Sequence, residues 1–409
     1  MKAVPADVSN SHVALAPVRV LHLIEDLGPG GAERLLFVNL SRLDRKSFDG
    51  LVCHLYDRAL HWKQPILDLG YPVLSLGMRS IRDLPQGVAR LARILKHERV
   101  DVVHTHLYGA NLVGRIAAAM RGVPVISSLH NPDYEPAALR DNAALSPAKL
   151  RLLCWLDRAS CRLAHPEFVA VSQYVKQSAV QYLGIPENRT RVIYNPVDTD
   201  VFTRSADAGV RATRLRADLG LDPTVPVILC VARLDPQKGL RYLIEAMPAL
   251  LREVPGVVVM FAGGGQPAAR SALVSLAETL KVGSQVRFLG VQADVRPYLE
   301  LCDVFVLPSL YEGMGISLVE AMAMERACVA TSTTAVPEVV TDGLSGFLVA
   351  PANPSALAAA ITRLLQNPGL RARMGAEGRR IALERFDVSR NIGQLESVYS
   401  QVARHSAVA

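Results

Sequence analysis

At 409 residues the chain exceeds what one hydrophobic core usually serves, so two domains are expected, and 50% hydrophobic with 20% charged residues excludes a disordered chain. Aromatics at 5% beside abundant Leu, Val and Ala fit an α/β enzyme rather than a β-sandwich. The net charge of +7 suits acidic partners such as phosphorylated small molecules or anionic lipid headgroups, but the 45 Lys and Arg are dispersed along helix-like stretches, so no nucleic-acid partner is expected.

The chain begins with Lys2 but meets Asp7, Ser9, Asn10 and His12 before any apolar run, so no signal-peptide core is expected. The first strand expected is Val18–Leu23, followed by Gly28-Pro-Gly30-Gly31-Ala-Glu33, where a helix opens and offers backbone amides to an anion. This is not a dinucleotide fingerprint. Glu33 stands where the third glycine belongs, and no acid ends the next strand, Leu51–Leu55, to hold a ribose. Val102–Thr105, Val125–Leu129, Phe168–Val171 and Arg191–Tyr194 follow, each a short apolar run with a turn and a helix-length segment behind it. That rhythm is repeated βα units, with parallel strands buried on both faces. His104 and His106 flank Thr105 with no carboxylate or thiolate nearby to complete a metal site. His130 stands at a strand end that faces a cleft, open to a role as base, electrophile, sugar-hydroxyl ligand or satisfied structural histidine. Lys149–Arg162 and Arg82–Arg99 interleave basic and apolar residues, as a surface helix with one buried stripe does, or a helix resting on an anionic membrane.

Between Pro196 and Pro226 the rhythm gives way to polar sequence, placing the inter-domain linker there, with Asp198-Thr-Asp200 read as turn chemistry rather than a cation site. A second series begins with Val227–Ala232 and continues through Val257–Ala262, Val286–Leu289, Val304–Leu307, Val329–Thr331 and Gly346–Val349. Arg233-Leu-Asp-Pro-Gln-Lys238-Gly239, after the first of these strands, is either a cationic clamp for a diphosphate or a solvated turn. After Val304–Leu307 comes Leu310-Tyr-Glu-Gly-Met-Gly-Ile-Ser-Leu-Val-Glu320. Its Gly313-Met-Gly315 turn and the helix opening near Ser317 make a phosphate cradle, with Glu312 and Glu320 placed to accept hydrogen bonds from sugar or ribose hydroxyls. Ser317-Leu-Val-Glu320 also reads as a capping box, which would make Glu320 structural. Ile392, Leu395, Val398 and Tyr399, at helical spacing, predict a last helix that crosses back to the first domain. Six cysteines without a Cys-x-x-Cys pair fit a reducing, cytoplasmic setting, and no apolar stretch is long enough to span a bilayer.

These motifs, in this order, resemble the family 4 glycosyltransferases, retaining enzymes of the GT-B type. The likeness runs from Gly30-Gly31-Ala-Glu33 through Asp101-Val-Val-His-Thr-His106, Ser128-Leu-His130 and Val192-Ile-Tyr-Asn-Pro-Val-Asp198 to Arg233–Gly239 and Glu312–Glu320. It implies two Rossmann-like doubly wound domains facing across a cleft: residues 1–200 with the C-terminal helix 386–409 on the acceptor side, and 201–385 binding the donor. By position, Glu312 with the backbone of Gly313, Met314, Gly315, Ile316 and Ser317 matches the donor-sugar and phosphate site. Glu320 matches the ribose ligand, Arg233 and Lys238 the diphosphate clamp, Val291 the base contact, and Gly30 and Gly31 the loop that closes over phosphate and acceptor. His130 matches the cleft histidine that contacts the donor sugar. The chain departs from the family in having Met314 for Phe and Thr334-Ala335 for Gly-Gly.

The resemblance further implies transfer, with retention and without a metal or other cofactor, from a nucleotide diphosphate sugar to a hydroxyl of a lipid-linked or soluble glycan in cell-surface polysaccharide or glycoconjugate synthesis. Contact with the anionic cytoplasmic membrane face is compatible with it. A sugar-nucleotide epimerase of the same fold and a non-catalytic nucleotide-binding protein are the alternatives.

Overall fold

The computed structural model describes residues 16–135 and 146–408; the residues read above for a signal peptide lie outside that range. A seven-stranded parallel sheet is built from β1 (Val18–Ile24), β2 (Phe48–His54), β3 (Val73–Ser75), β4 (Val102–His106), β5 (Val125–Leu129), β6 (Glu167–Ala170) and β7 (Thr190–Val192), in the order β3-β2-β1-β4-β5-β6-β7. A six-stranded one follows: β8 (Val227–Val231), β9 (Val258–Ala262), β10 (Val286–Gly290), β11 (Val304–Leu307), β12 (Ala327–Thr331) and β13 (Gly346–Val349), in the order β10-β9-β8-β11-β12-β13. Both orders reverse direction once, between β1 and β4 and between β8 and β11. There the loops leaving two neighbouring strands diverge and open a crevice at their carboxyl ends.

Both faces of each sheet are covered because successive strand residues point to opposite sides. Along β8, Leu229 packs with Met260, Phe305 and Leu318 on one face, while Ile228 and Cys230 pack with Leu243, Met247 and Ile361 on the other. Each such aliphatic side chain contributes about 1.5–3 kcal/mol over its exposed state. In the first sheet His22 of β1 lies beside His104 of β4 in the strand register and stacks on His106, so three imidazoles share one buried layer.

Sequence and structure differ in two places. β3 is a three-residue edge strand, too short to register as a periodic apolar run. Part of the expected linker is the helix Ala208–Asp218, in which Ala208 alone is buried, so little apolar periodicity betrays it. It is tied down by Arg211 and by Ser205 just before it, both bonded to the buried Glu300 carboxylate, at 3.0 and 2.9 Å. Asp198 answers an arginine, Arg42 of the first helix, and also accepts from the Val201 amide at 3.2 Å. The last helix, Val388–Val408, returns to the first sheet. Ile392, Leu395, Val398 and Tyr399 pack there with Val20, Val52 and Val102.

Candidate active site

The loop leaving β11, at the reversal of the second sheet, carries Glu312 and is fixed from two sides. The Leu310 amide donates to the Gln237 carbonyl at 2.8 Å, and the Gln237 side-chain amide donates to the Tyr311 carbonyl at 3.0 Å. From the end of β12 and the loop after it, Thr331 and Thr333 donate to the carbonyls of Ser309 and Leu310. The Thr334 hydroxyl accepts from the Glu312 amide and donates to its carbonyl, both at 2.8 Å. Thr334 has φ 43°, a left-handed conformation disfavoured for a β-branched residue, so the chain keeps a glycine-type backbone here and uses the hydroxyl to hold Glu312.

The buried Glu312 carboxylate accepts two hydrogen bonds at Oε1, from Lys238 Nζ and from the Ser309 hydroxyl, both 2.7 Å. Lys238 closes a short helical turn and is followed by Gly239 at φ 61°; a Cβ there would lie 2.1 Å from the Pro308 carbonyl oxygen. That close approach is what lets the Lys238 turn lie against the Glu312 loop. Arg233, at the end of β8, is exposed and lies 3.5 Å from Asp235. Gly315, at φ 85°, is the N-cap of the helix Ile316–Ala323 with no side-chain cap, so Ser317 lies inside the helix and the alternative capping-box reading is not borne out.

Glu320 is the fifth residue of that helix rather than part of its first turn, and it is buried. Its carboxylate pairs at 2.5 Å with Arg34, which comes from the helix Gly31–Arg42 of the other domain. Burial raises the Glu320 pKa and Arg34 opposes the rise. Met314 turns its side chain into the core, where Sδ accepts the Asn195 amide at 3.1 Å, so only its backbone is left to face a ligand. Val291 is exposed and lies against Gly264, in a Gly263-Gly264-Gly265 run packed on the residues after β8.

Across the cleft, His130 follows β5, and a Cβ on Gly313 would lie 1.9 Å from its carbonyl oxygen. The two sequence-predicted segments therefore touch backbone to backbone. His130 Nε2 lies 3.3 Å from Nδ1 of His106 at the end of β4, and burial lowers the His130 pKa to about 4, leaving a neutral imidazole at neutral pH. His22, His104 and His106 bring their ring nitrogens within 4.8 Å of one another. Both nitrogens of His104 are engaged, however, Nδ1 with the Tyr399 hydroxyl at 2.7 Å and Nε2 with the Ser128 hydroxyl at 2.8 Å. A trio with one member so committed is a poor metal donor set.

Gly30 caps the helix that bears Arg34, while Gly31 faces open space. The Glu33 carboxylate folds back over Gly30, where a Cβ would meet Oε2 at 2.1 Å. Burial pushes its pKa up to about 7, its own backbone amide opposes the rise, and Arg233 from the other domain opposes it as well. Three partners escaped the sequence reading. Arg34 directly follows the glycine motif without belonging to it, Thr334 stands out in the sequence only as a departure from Gly-Gly, and Asp157, whose carboxylate binds Arg115 and Tyr134 under a pocket beside His130, is one charge among many in a basic helix.

Residues 29–201 match the model of Glycosyltransferase Family 4, and residues 212–381 match that of Glycosyl transferases group 1. The chain is 30% identical over 329 residues to alpha-maltose-1-phosphate synthase of Mycolicibacterium smegmatis, covering 77% of this chain and 82% of that protein. It is 24% identical over 404 residues to the Escherichia coli UDP-Gal:alpha-D-GlcNAc-diphosphoundecaprenol alpha-1,3-galactosyltransferase, covering 98% of each. Its fold matches crystalline HepE of Anabaena in complex with UDP-glucose, with a TM-score of 0.81, 26% identity, and 94% and 99% of the two chains covered. Two Rossmann-like parallel sheets agree with these likenesses, which favour a transferase over the epimerase and non-catalytic readings. The chain is a nucleotide-sugar-dependent glycosyltransferase and belongs to glycosyltransferase family 4.

Proposed function

We propose that this enzyme transfers a sugar, with retention and without a metal, from a nucleotide diphosphate sugar to a hydroxyl of a glycan, either lipid-linked or soluble, in the building of a cell-surface polysaccharide or glycoconjugate. The observation that carries this reading is the junction of Lys238, Glu312 and Gly313 with His130, at the switch point of the donor-side sheet. We assign residues 201–385 to the donor and residues 1–200, with helix 386–409, to the acceptor. The diphosphate lies on the amides of Gly313 to Ser317 and is clamped by Arg233 and Lys238, while Gly30 and Gly31 close on it from the other side. Glu320 takes the ribose hydroxyls, Val291 lies along the base, and the second oxygen of Glu312 takes hydroxyls of the sugar.

His130, neutral through burial, supplies a hydrogen bond to the sugar rather than a proton. Lys238 and Arg233 stabilise charge on the departing diphosphate, whose oxygen then receives the acceptor proton on the same face as the new bond. The galactosyltransferase relative is named for a diphosphoundecaprenol acceptor, and the HepE structure holds UDP-glucose. We therefore place this enzyme on the cytoplasmic face of a membrane and rank uridine diphosphate sugars first among donors.

A panel of nucleotide sugars with lipid-linked and free glycan acceptors tests this, with mass spectrometry for the product and proton NMR for its anomeric configuration. Glu312→Ala and Lys238→Ala should each lower donor turnover by about a hundredfold or more, on the scale of a lost charge-stabilising contact at a reacting group. Unchanged turnover in both would remove the site assignment, and release of an isomerised free sugar would replace transfer by epimerisation.

A further inference from the structure

The helix Pro147–Ala164 has two unlike faces. Inward, Asp157 binds the fully buried Arg115, and its second oxygen accepts from the Tyr134 hydroxyl. Tyr108 also bonds the helix, through the Leu153 carbonyl at 3.3 Å. Tyr108, Tyr134 and Asp157 line a pocket together with His130. Outward, Leu152 is 55% exposed, Trp155 62%, Leu156 37% and Leu163 55%. These four and Ala159 fall within about 100° of one another on a helix of 3.6 residues per turn, so they form one continuous apolar stripe. It is the exposed counterpart of a stripe that a surface helix ordinarily buries.

The charge beside the stripe is of one sign. Arg151, Arg158 and Arg162 fall within about 40° of one another along one edge, and all three are exposed. The single acid of the helix, Asp157, is the residue that points inward. Arg158 is also anchored to the protein, donating from Nε to the Leu183 carbonyl at 2.9 Å and from Nη2 to the Tyr182 carbonyl at 2.6 Å. An apolar stripe with an amphipathic tryptophan and a row of arginines is complementary to the headgroup and acyl boundary of an anionic bilayer. The stripe buries in the acyl region, and the guanidinium groups meet lipid phosphates. No helix among the described residues is long and apolar enough to cross a membrane, so attachment through this face is peripheral.

We propose that the outer face of the helix Pro147–Ala164 is the membrane-docking surface of this enzyme, lying on anionic phospholipid and holding the pocket beside His130 at the height of a lipid-linked acceptor's headgroup. The surface stands on its own geometry; its service to the acceptor rests on the function proposed above. The Asp157–Arg115 bond makes the docking face and the pocket wall one rigid piece.

The test uses the full chain and vesicles of phosphatidylcholine, with and without phosphatidylglycerol as about a third of the lipid. Co-sedimentation is expected with the anionic vesicles, weakening as salt is raised. The Trp155 contribution to fluorescence, taken as wild type minus Trp155→Phe, should shift to shorter wavelength. Trp155→Glu with Leu163→Glu should lower partitioning at least about tenfold, and Arg151→Glu with Arg162→Glu should do the same on anionic vesicles alone. Slow donor hydrolysis, measured in the same samples without lipid, should stay at the wild-type level. Wild-type protein that hydrolyses donor but ignores both kinds of vesicle overturns the proposal. So does a concentration-dependent dimer that the Trp155→Glu, Leu163→Glu pair dissolves, since the stripe would then be covered by a second copy. Vesicle binding without donor turnover would keep the docking surface and reject the proposed reaction instead.

Discussion

A buried carboxylate beside a site for anions needs a reason to be tolerated, and Glu33 and Glu320 have different ones. Glu320 has Arg34, a cation delivered from the opposite domain, at 2.5 Å. Burial holds Glu33 toward the neutral form, its pKa near 7, with Asp26 and Glu25 adding to the rise and its own backbone amide and Arg233 opposing it. A neutral Glu33 adds no repulsion to the diphosphate proposed to lie at Gly30 and Gly31. The sign of the linkage follows from the shift. Between the ordinary glutamate value and about pH 7 the folded protein binds the Glu33 proton and the unfolded chain does not, so this group's contribution to stability is fully present at low pH and is lost as pH rises through 7. Glu33→Gln should flatten the decline of urea-measured stability across that interval. A pH–stability curve parallel to that of the wild type would show that Glu33 is not a proton-linked group.

At the scale of elements, the C-terminal helix shows how a distant segment supports the site. Tyr399 donates to or accepts from His104 Nδ1 at 2.7 Å inside the first sheet, and His104 in turn meets Ser128, two residues before His130. Tyr399→Phe keeps the packing and leaves a buried imidazole nitrogen without its partner, so unfolding free energy should fall by about 1–3 kcal/mol. Chemical denaturation gives the number, and a loss below a few tenths would mean that water or a shifted ring replaces the bond. The helix was legible in the sequence because Ile392, Leu395, Val398 and Tyr399 keep a 3.6-residue period. Twelve of the strands were legible for a related reason, since parallel strands buried on both faces are unbroken apolar runs. The edge strand Val73–Ser75 and the helix Ala208–Asp218 were not, because neither buries enough to impose a pattern. Within the site, Lys238, Glu312 and Glu320 were visible as polar residues next to glycine turns. Arg34 and Thr334 were not, because each acts on a residue of another segment: Arg34 pairs with Glu320 of the opposite domain, and Thr334 clamps Glu312, 22 residues away.

On the scale of the molecule, the cleft is held shut by contacts of three kinds. Arg34 and Glu320 join by charge. The Glu338 carboxylate accepts from the Gln173 and Tyr174 amides of the first domain, at 2.9 and 2.7 Å. Gly313 meets the His130 carbonyl backbone to backbone. The third is steric and singles out the closed state. Gly313 is not in the left-handed region, so its own backbone accepts an alanine. What a methyl group there meets, at 1.9 Å, is the carbonyl of the opposite domain, a backbone atom that cannot swing aside. Gly313→Ala should therefore leave the donor-side domain folded and still able to bind a nucleoside diphosphate, while holding the domains about an ångström or more apart. A misplacement of that size at a reacting centre costs on the order of a hundredfold in rate. The expected outcome is a kcat lowered by roughly that factor, with nucleotide affinity changed far less and a larger radius of gyration by small-angle X-ray scattering in the presence of donor. Wild-type kcat in this variant would mean that transfer does not require the closure in which Gly313 meets His130.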